Sequence, residues 1–464
     1  MTKRALAGVL LLGLLQGGGG LVAGERIQVW PENRWYWQYR GKPVLLLGGS
    51  DEDNLFNHPE MSRANLQTLQ EIGGNYVRQT LSCRDEGNVW PFLQVDGKYD
   101  LDKPDPQFWG RLERSCRDAY ERDVIVQIEF WATFDFYRDN WLKNPWNPAN
   151  NVNYTTESTK LVREWDHHPA GKAQPFFSSV PELHNDAVLL EYQQAFVRKV
   201  LDVTIDLPNI LYCLDNETAT PPEWCWYWGT FLAEESKQRG VPIQVTEMWD
   251  AHDIRAEQHS YTYDRPDIFS YVDVSQNNWQ IGQTHYDRLV WMRQTLRKQA
   301  GGIRPMNNDK VYARLGRESG LVEISLDRWW QNVFAGCAST RFHRPTGGSG
   351  IGLGAEAQQA IRAARTFTGA FDIFHTEPHP ELLSEREENE AYCLAKPGEV
   401  YALYFPKGGA VRLRVGHAEK QLRLRWFDPT TARFTDPGPL EAGGEIPLES
   451  PNREQTWLAM VQQR

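Results

Sequence analysis

Between residues 44 and 370, short apolar runs alternate with stretches of helical spacing, and this alternation limits the possible folds more than any other feature. Val44–Gly49, Tyr76–Leu81, Val124–Trp131, Asn209–Asn216, Ile243–Trp249, Ile268–Ser275, Ile303–Tyr312 and Ala338–His343 are the candidate strands. The pieces 107–121, 186–201, 223–238, 283–299, 325–337 and 355–370 carry apolar residues at helical spacing. So do Leu66, Leu69 and Ile72, which end at Gly73-Gly74, a usual helix terminus. Strand followed by crossover helix is the grammar of a parallel sheet. Eight such units in about 330 residues predict an α/β fold closed as a (β/α)8, or TIM, barrel.

Past Ala370 the pattern changes. Ala391–Leu394, Val400–Phe405, Val411–Val415, Leu422–Phe427 and Thr456–Val461 read as short strands. The turn signals Pro397-Gly398, Gly408-Gly409, Asp428-Pro429 and Gly443-Gly444 separate them, with no helical spacing between. This is a small all-β sandwich. The organisation expected is therefore a leader over 1–24, a barrel over 25–373 and a C-terminal sandwich over 374–464. Within the barrel, 132–181 breaks the alternation and is rich in Asn, Pro and aromatic residues. So long a connection is uncommon unless functional or disordered, and its aromatic content disfavours disorder, so a wall or lid over the cleft is expected.

The formal net charge of −11 argues against nucleic acid, which is bound through clustered Lys and Arg. No segment after the N-terminus is long and apolar enough to span a bilayer. Lys3-Arg4, the apolar run Ala5–Leu15 and the small residues near Ala23-Gly24 read as a secretory signal, so the chain is expected to be secreted or periplasmic. Six cysteines show no paired spacing and are expected as mostly free, buried thiols. Nineteen tryptophans can stack on sugar rings as well as fill a core.

The dipeptide Asn216-Glu217 ends the apolar run Pro208–Asp215. It puts a carboxyl at the C-terminal end of a buried strand, the rim where barrels of this kind do chemistry. There an asparagine can orient a sugar hydroxyl while a glutamate exchanges a proton with a glycosidic oxygen. Upstream, Gly74-Asn75-Tyr76-Val77-Arg78 supplies an arginine on strand two. Together these residues resemble the clan A glycoside hydrolases. The segments Asn33–Trp37 and Gly41–Gly49, with Trp426-Phe427-Asp428-Pro429, resemble the apiosidase-like barrel proteins, which carry a C-terminal sandwich. The resemblance implies that Glu217 is the acid/base and that Arg78 supports a nucleophile. It also implies a glutamate near the end of strand seven, where this chain has Asn307-Asn308-Asp309-Lys310. Two substitutes are available, Glu247 after strand five and Asp309 on strand seven.

The expected function is hydrolysis of an oligo- or polysaccharide by Glu217 with Glu247 or Asp309, without a cofactor or metal. Asp51, Arg78, Glu129, Trp131, Asn216, Trp249, Asn277, Asn307, Asn308 and His343 are the candidate substrate contacts. Blander readings stand beside several of them. Arg78 can be a buried ion-pair partner, with Glu129 as its carboxylate. Asp51-Glu52-Asp53 can ligate calcium, although a solvated loop is the simpler account. His167-His168 lacks further ligands at sensible spacing, and Gly347–Gly352 lacks the Lys-Ser/Thr end of a phosphate loop. The strand-seven asparagines also fit an inactive carbohydrate-binding protein on a glycosidase scaffold.

Overall fold

The computed structural model describes residues 25–168, 172–415, 422–440 and 444–463. The expected leader, 1–24, lies outside the described residues. Eight parallel strands form the barrel: β1 (Leu46–Gly49), β2 (Tyr76–Thr80), β3 (Ile125–Trp131), β4 (Ile210–Asp215), β5 (Val245–Thr246), β6 (Val272–Asp273), β7 (Met306–Val311) and β8 (Ser339–Phe342). They pair in the order β5-β4-β3-β2-β1-β8-β7-β6. The Ser270 N–H donates to the Val245 carbonyl at 3.0 Å and ties the two ends of this sheet together. Between and after the strands lie α1 (Pro59–Ile72), α2 (Pro106–Glu121), α3 (Ala187–Thr204), α4 (Pro222–Arg239), α5 (Glu257–Tyr263), α6 (Gly282–Lys298), α7 (Val322–Phe334) and α8 (Ala355–Thr368).

Local chemistry explains the boundaries. Asp105 accepts from the Gln107 N–H and Pro106 opens α2, while α1 and α4 stop at Gly73 and Gly240, both left-handed. The strands are nearly continuous apolar runs because both of their faces are buried. Gly48 on β1 has no substitute, since a Cβ there would lie 1.8 Å from the Tyr76 carbonyl oxygen.

Residues 28–44 fold as a three-stranded antiparallel sheet. It carries Trp37 into the barrel, where the indole N–H donates to the Asn307 Oδ1 at 3.0 Å and the ring packs edge-on against Tyr271. The segment with the apiosidase-like motif thus supplies part of the barrel core.

The C-terminal strands form a seven-stranded sheet facing a three-stranded one, beginning at Glu377–Pro378. Strand Glu445–Glu449 was not expected from the sequence, because Pro447 and alternating acids mask it; it pairs with Ala410–Arg414. The sandwich packs on α7 and α8 through aromatic side chains. Phe334 meets Tyr404 at 5.6 Å and Phe367 meets Phe427 at 5.4 Å, while the Tyr404 hydroxyl donates to Asp327 at 2.9 Å. All six cysteines are buried free thiols. Among the described residues no helix is long and apolar enough to cross a membrane.

Candidate active site

A cleft of about 790 Å³ opens at the C-terminal rim of the barrel. Glu217, one residue past Asn216, sits in it with a left-handed backbone (φ +58°). That conformation is unfavourable for a residue with a side chain, and neighbours hold it. The Thr133 hydroxyl, from the start of the 132–181 segment, donates to the carbonyls of Asn216 and Glu217. Thr218 forms a parallel bridge with Trp249, its N–H donating to the Met248 carbonyl and its carbonyl accepting from the Asp250 N–H. This extension of the β4–β5 pairing brings Glu217 and Asp250 into one cleft.

Strand β7 faces them with Lys310 and Tyr312. The Lys310 ammonium donates to Glu217 Oε1 at 2.7 Å and to Asn216 Oδ1, and the Tyr312 hydroxyl donates to Glu217 Oε1 at 2.8 Å. A bulge explains how this strand serves two levels. Its register against β8 shifts between Asn308 and Val311. Asp309 therefore faces the barrel interior, while Lys310 and Tyr312 reach the rim.

The two rim carboxyls experience opposite environments. Burial raises the Glu217 pKa, but the Lys310 charge and the two donated hydrogen bonds outweigh it and bring it down to about 2. For Asp250, burial and then the Glu217 charge outweigh the opposing pull of Lys310 and raise it to about 6. One wall of the cleft is aromatic. Trp279 stacks on His252 at 4.1 Å, and Tyr312 meets Trp279 edge-on at 6.2 Å. The floor is basic, with Arg78, Arg84 and Arg344 beside Asp53 and His343.

Of the residues expected at the site, Glu217, Asn216, Arg78 and His343 line this cleft. The others lie elsewhere. Glu247 is buried below the rim, where its Oε1 accepts from the backbone N–H groups of Asp215 and Met248. Burial and the nearby Asp215 raise its pKa well above the ordinary carboxyl value, an environment unlike that of a charged rim carboxylate. Asp309 accepts from Gln127 at 2.5 Å and Ser275 at 2.7 Å inside the barrel. The placement of both as rim carboxylates is therefore corrected.

Trp131 is packed among Phe136, Trp146, Phe176, Phe196, Trp224 and Trp228, so it is core rather than a sugar platform. Trp249 is also buried, with its indole N–H on Thr262 at 2.7 Å. Asn277 bonds the His285 carbonyl, Asn307 bonds Trp37, and Asn308 bonds Asn278 and Asn332. These amides satisfy interior polar groups. Glu129 is fully buried against Thr80 and Arg78, matching the blander reading of that pair. Asp51 accepts from the Leu353 N–H, Asp53 pairs with Arg78, and Glu52 pairs with Arg344, which Asp53 also meets, so each of the three acids after β1 is engaged by the protein.

Asp250, Lys310, Tyr312 and Trp279 are the site residues that sequence reasoning passed over. The available signal was positional, since Asp250 directly follows the run Ile243–Trp249 and Trp279 lies four residues past Ile268–Ser275. In the long 132–181 segment, Phe134 and His168 reach the cleft. Tyr137, Trp141, Trp146 and Tyr154 are buried within the protein and hold the segment in place.

Neither a scan of protein-family models nor a search of curated proteins gives a match. Solved structures do. A protein described as a glycoside hydrolase is similar over 95% of this chain and 97% of its own, at 10% identity and a TM-score of 0.66. A glycoside hydrolase family 5 structure from Bacteroides vulgatus matches over 95% and 94%, at 12% identity and a TM-score of 0.63. An α-amylase from Geobacillus thermoleovorans matches over 87% and 92%, at 13% identity and a TM-score of 0.51. The likeness is one of fold. It covers the barrel and the sandwich together in the first two cases.

Proposed function

We propose that the protein, in exported form, is a glycoside hydrolase acting on carbohydrate in the rim cleft. Glu217 is its ionised carboxylate, and Asp250 is the acid that protonates the departing glycosidic oxygen. The observation that carries this reading is the pair itself, two carboxyls in one cleft whose environments push their pKa values to about 2 and about 6. The resemblance implies the acid role for Glu217. Lys310 and Tyr312 argue against it, because a carboxyl with a pKa of about 2 holds no proton to give at pH 5–7. The fold shared with glycoside hydrolases supports the reaction class.

In the mechanism, the bond from the anomeric carbon to the leaving oxygen breaks as Asp250 donates its proton to that oxygen. Glu217 attacks the anomeric carbon directly, or removes a proton from a water that does. Direct attack forms a glycosyl ester on Glu217, which a water deprotonated by the now ionised Asp250 cleaves to give retention of configuration, whereas water attack gives inversion in one step. Lys310 keeps Glu217 charged, and Asn216 and Trp279 are placed to meet the ring's hydroxyls and apolar face.

Turnover then depends on a protonated Asp250 and an ionised Glu217. The value of kcat/KM is expected to fall about tenfold per pH unit above about 6, and to hold through mildly acidic pH. Asp250→Asn should slow cleavage of natural glycosides by about 100- to 10,000-fold and flatten that alkaline limb. Substrates with a dinitrophenyl leaving group need little protonation and should lose far less. An unchanged pH profile in Asp250→Asn would remove it from the mechanism.

A second reading is a carbohydrate-binding protein without turnover. Lys310 favours it, since β7 has no glutamate and its lysine is bonded to Glu217. Binding of a glycan with no product from any substrate would select it.

A further inference from the structure

Three guanidinium groups converge on the floor of the cleft. Arg78 comes from β2, Arg84 from the loop after β2, and Arg344 from just beyond β8. All three line the cleft, and with Asn216 they bound a second, smaller recess beside it. Their carboxylate partners lie among and behind them. Arg78 pairs with Asp53 at 2.9 Å and with Glu129 at 3.3 Å. Arg84 pairs with Asp135 at 2.8 Å. Arg344 pairs with Asp53 at 3.2 Å, Glu52 at 3.3 Å and Asp85 at 4.0 Å. Asp53 also faces Arg341 at 3.4 Å and the His343 ring at 3.6 Å.

Five carboxylates thus more than match four guanidiniums in charge, but they do not use up the donors of the arginines. A guanidinium has five N–H donors and no acceptor, and a carboxylate satisfies at most two of them in the forked geometry. Arg78 is 1% exposed, yet its Nη1 group meets no acceptor. Such a buried orphan donor is costly, and it marks a place where an acceptor is wanted. Hydroxyl groups of a neutral sugar would fit poorly, because each also brings a proton that needs an acceptor. Asp53, the acceptor between the arginines, is already engaged, which leaves Asn54 Oδ1 and Asp85 as the acceptors of the recess, against three guanidiniums with five N–H donors each. A group that only accepts has no such conflict.

We propose that this floor is a subsite for the anionic group of an acidic sugar, a carboxylate or a sulfate ester, received by Arg78, Arg84 and Arg344 beside Asn216. The inference rests on the cleft being a carbohydrate site and names the substrate class it takes. A ring held there by its acid group lies next to Asn216, and so next to the bond that Glu217 and Asp250 act on. The chain as a whole carries an excess of acid, at −11. Recognition of an anion therefore has to come from local donors rather than from the overall field.

The test is a binding measurement on the whole protein by calorimetry, independent of turnover. The probes are oligosaccharides of galacturonate, of glucuronate and of mixed mannuronate and guluronate, a sulfated galactan oligosaccharide, and the carboxyl-reduced or desulfated form of each. At least one acidic probe is expected to bind tenfold or more tightly than its neutral form. That ratio should shrink as salt is raised. Carboxylate and sulfate arms tell the two anions apart. Arg84→Gln and Arg344→Gln, each checked for folding by thermal melting, should bring the ratio close to one. Equal binding of acidic and neutral forms, binding of neutral forms alone, or a ratio untouched in both folded variants would overturn the subsite. Failure of the hydrolase reading looks different. In that case an acidic glycan binds selectively and no product forms, whereas cleavage of neutral glycans with no acid preference sinks the subsite alone.

Discussion

Glu217→Gln abolishes turnover of natural and activated glycosides alike, by at least about 1,000-fold, and the protein still folds. The size follows from what the substitution removes. An ionised carboxylate at the anomeric carbon is needed whatever the leaving group, and an amide can neither attack nor take a proton at useful rates. Glutamine keeps an oxygen able to accept from Lys310 and Tyr312, the two donors now on Glu217 Oε1. Lys310 loses its counter-charge, so a lower melting temperature accompanies the loss. The leaving-group comparison decides the role. If Glu217→Gln were to cleave dinitrophenyl glycosides near the wild-type rate, Glu217 would be the acid, as the family resemblance implies. Azide sharpens the result. In a retaining enzyme, azide restores turnover in Glu217→Ala and yields a glycosyl azide of inverted configuration only if Glu217 is the nucleophile.

Arg78→Met is expected to cost about 3–5 kcal/mol of stability at neutral pH, the usual penalty for removing one partner of a buried ion pair. Methionine fills part of the volume but leaves Asp53 and Glu129 without their shared cation. The pH dependence identifies the cause. Burial raises the Asp53 pKa, but Arg78, His343, Arg341 and Arg344 outweigh it and hold the carboxyl well below its ordinary 3.8. A depressed carboxylate contributes stability that is present above the unfolded value and lost as pH falls toward the folded one. Removing Arg78 takes away part of that contribution, so the gap between variant and wild type narrows below about pH 4. Urea unfolding of both proteins at pH 7 and pH 3.5 measures it. Equal losses at the two pH values would mean that packing, and not charge, sets the penalty.

Much of the fold was legible because a strand buried on both faces has to be apolar along its length. Residues 125–131 and 210–215 could hardly be anything else. The five longer sandwich strands were similarly visible, whereas Pro447 and flanking glutamates disguised Glu445–Glu449, and four pieces of two or three residues are too short to carry a pattern. Asn216-Glu217 was readable for a related reason, since polarity begins where the apolar strand ends. The rest of the site depended on register. Glu247 and Asp250 are three residues apart, yet one lies inside the barrel and the other lines the cleft. Strand pattern alone does not say how far past its last ladder bond a chain keeps turning inward. On β7 the bulge moved the rim position from Asp309 to Lys310, and a strict alternation of faces misses it. The tryptophans misled through number. Indoles fill large interior spaces as well as they stack on sugars, and Trp131 and Trp249 do the former.

The acids buried inside the barrel have a consequence for the solvent outside it. Burial raises the pKa values of Glu129, Asp215, Glu247 and Asp273, with Arg78 opposing the shift at Glu129 and carboxyl neighbours adding to it at Glu247 and Asp273. The unfolded chain exposes the same carboxyls, ionised, at any pH well above 4.5. Folding near neutrality therefore draws hydrogen ions from the medium. Buried histidines such as His259 and His285, lowered to about 4, release them instead, but chiefly below about pH 6.5. Above that the carboxyls dominate, and stability declines as the solution turns alkaline, because the folded chain binds more protons than the unfolded one. The heat of unfolding will carry the ionisation heat of whatever buffer takes up the released ions, so calorimetry in phosphate and in Tris will disagree by an amount that counts them.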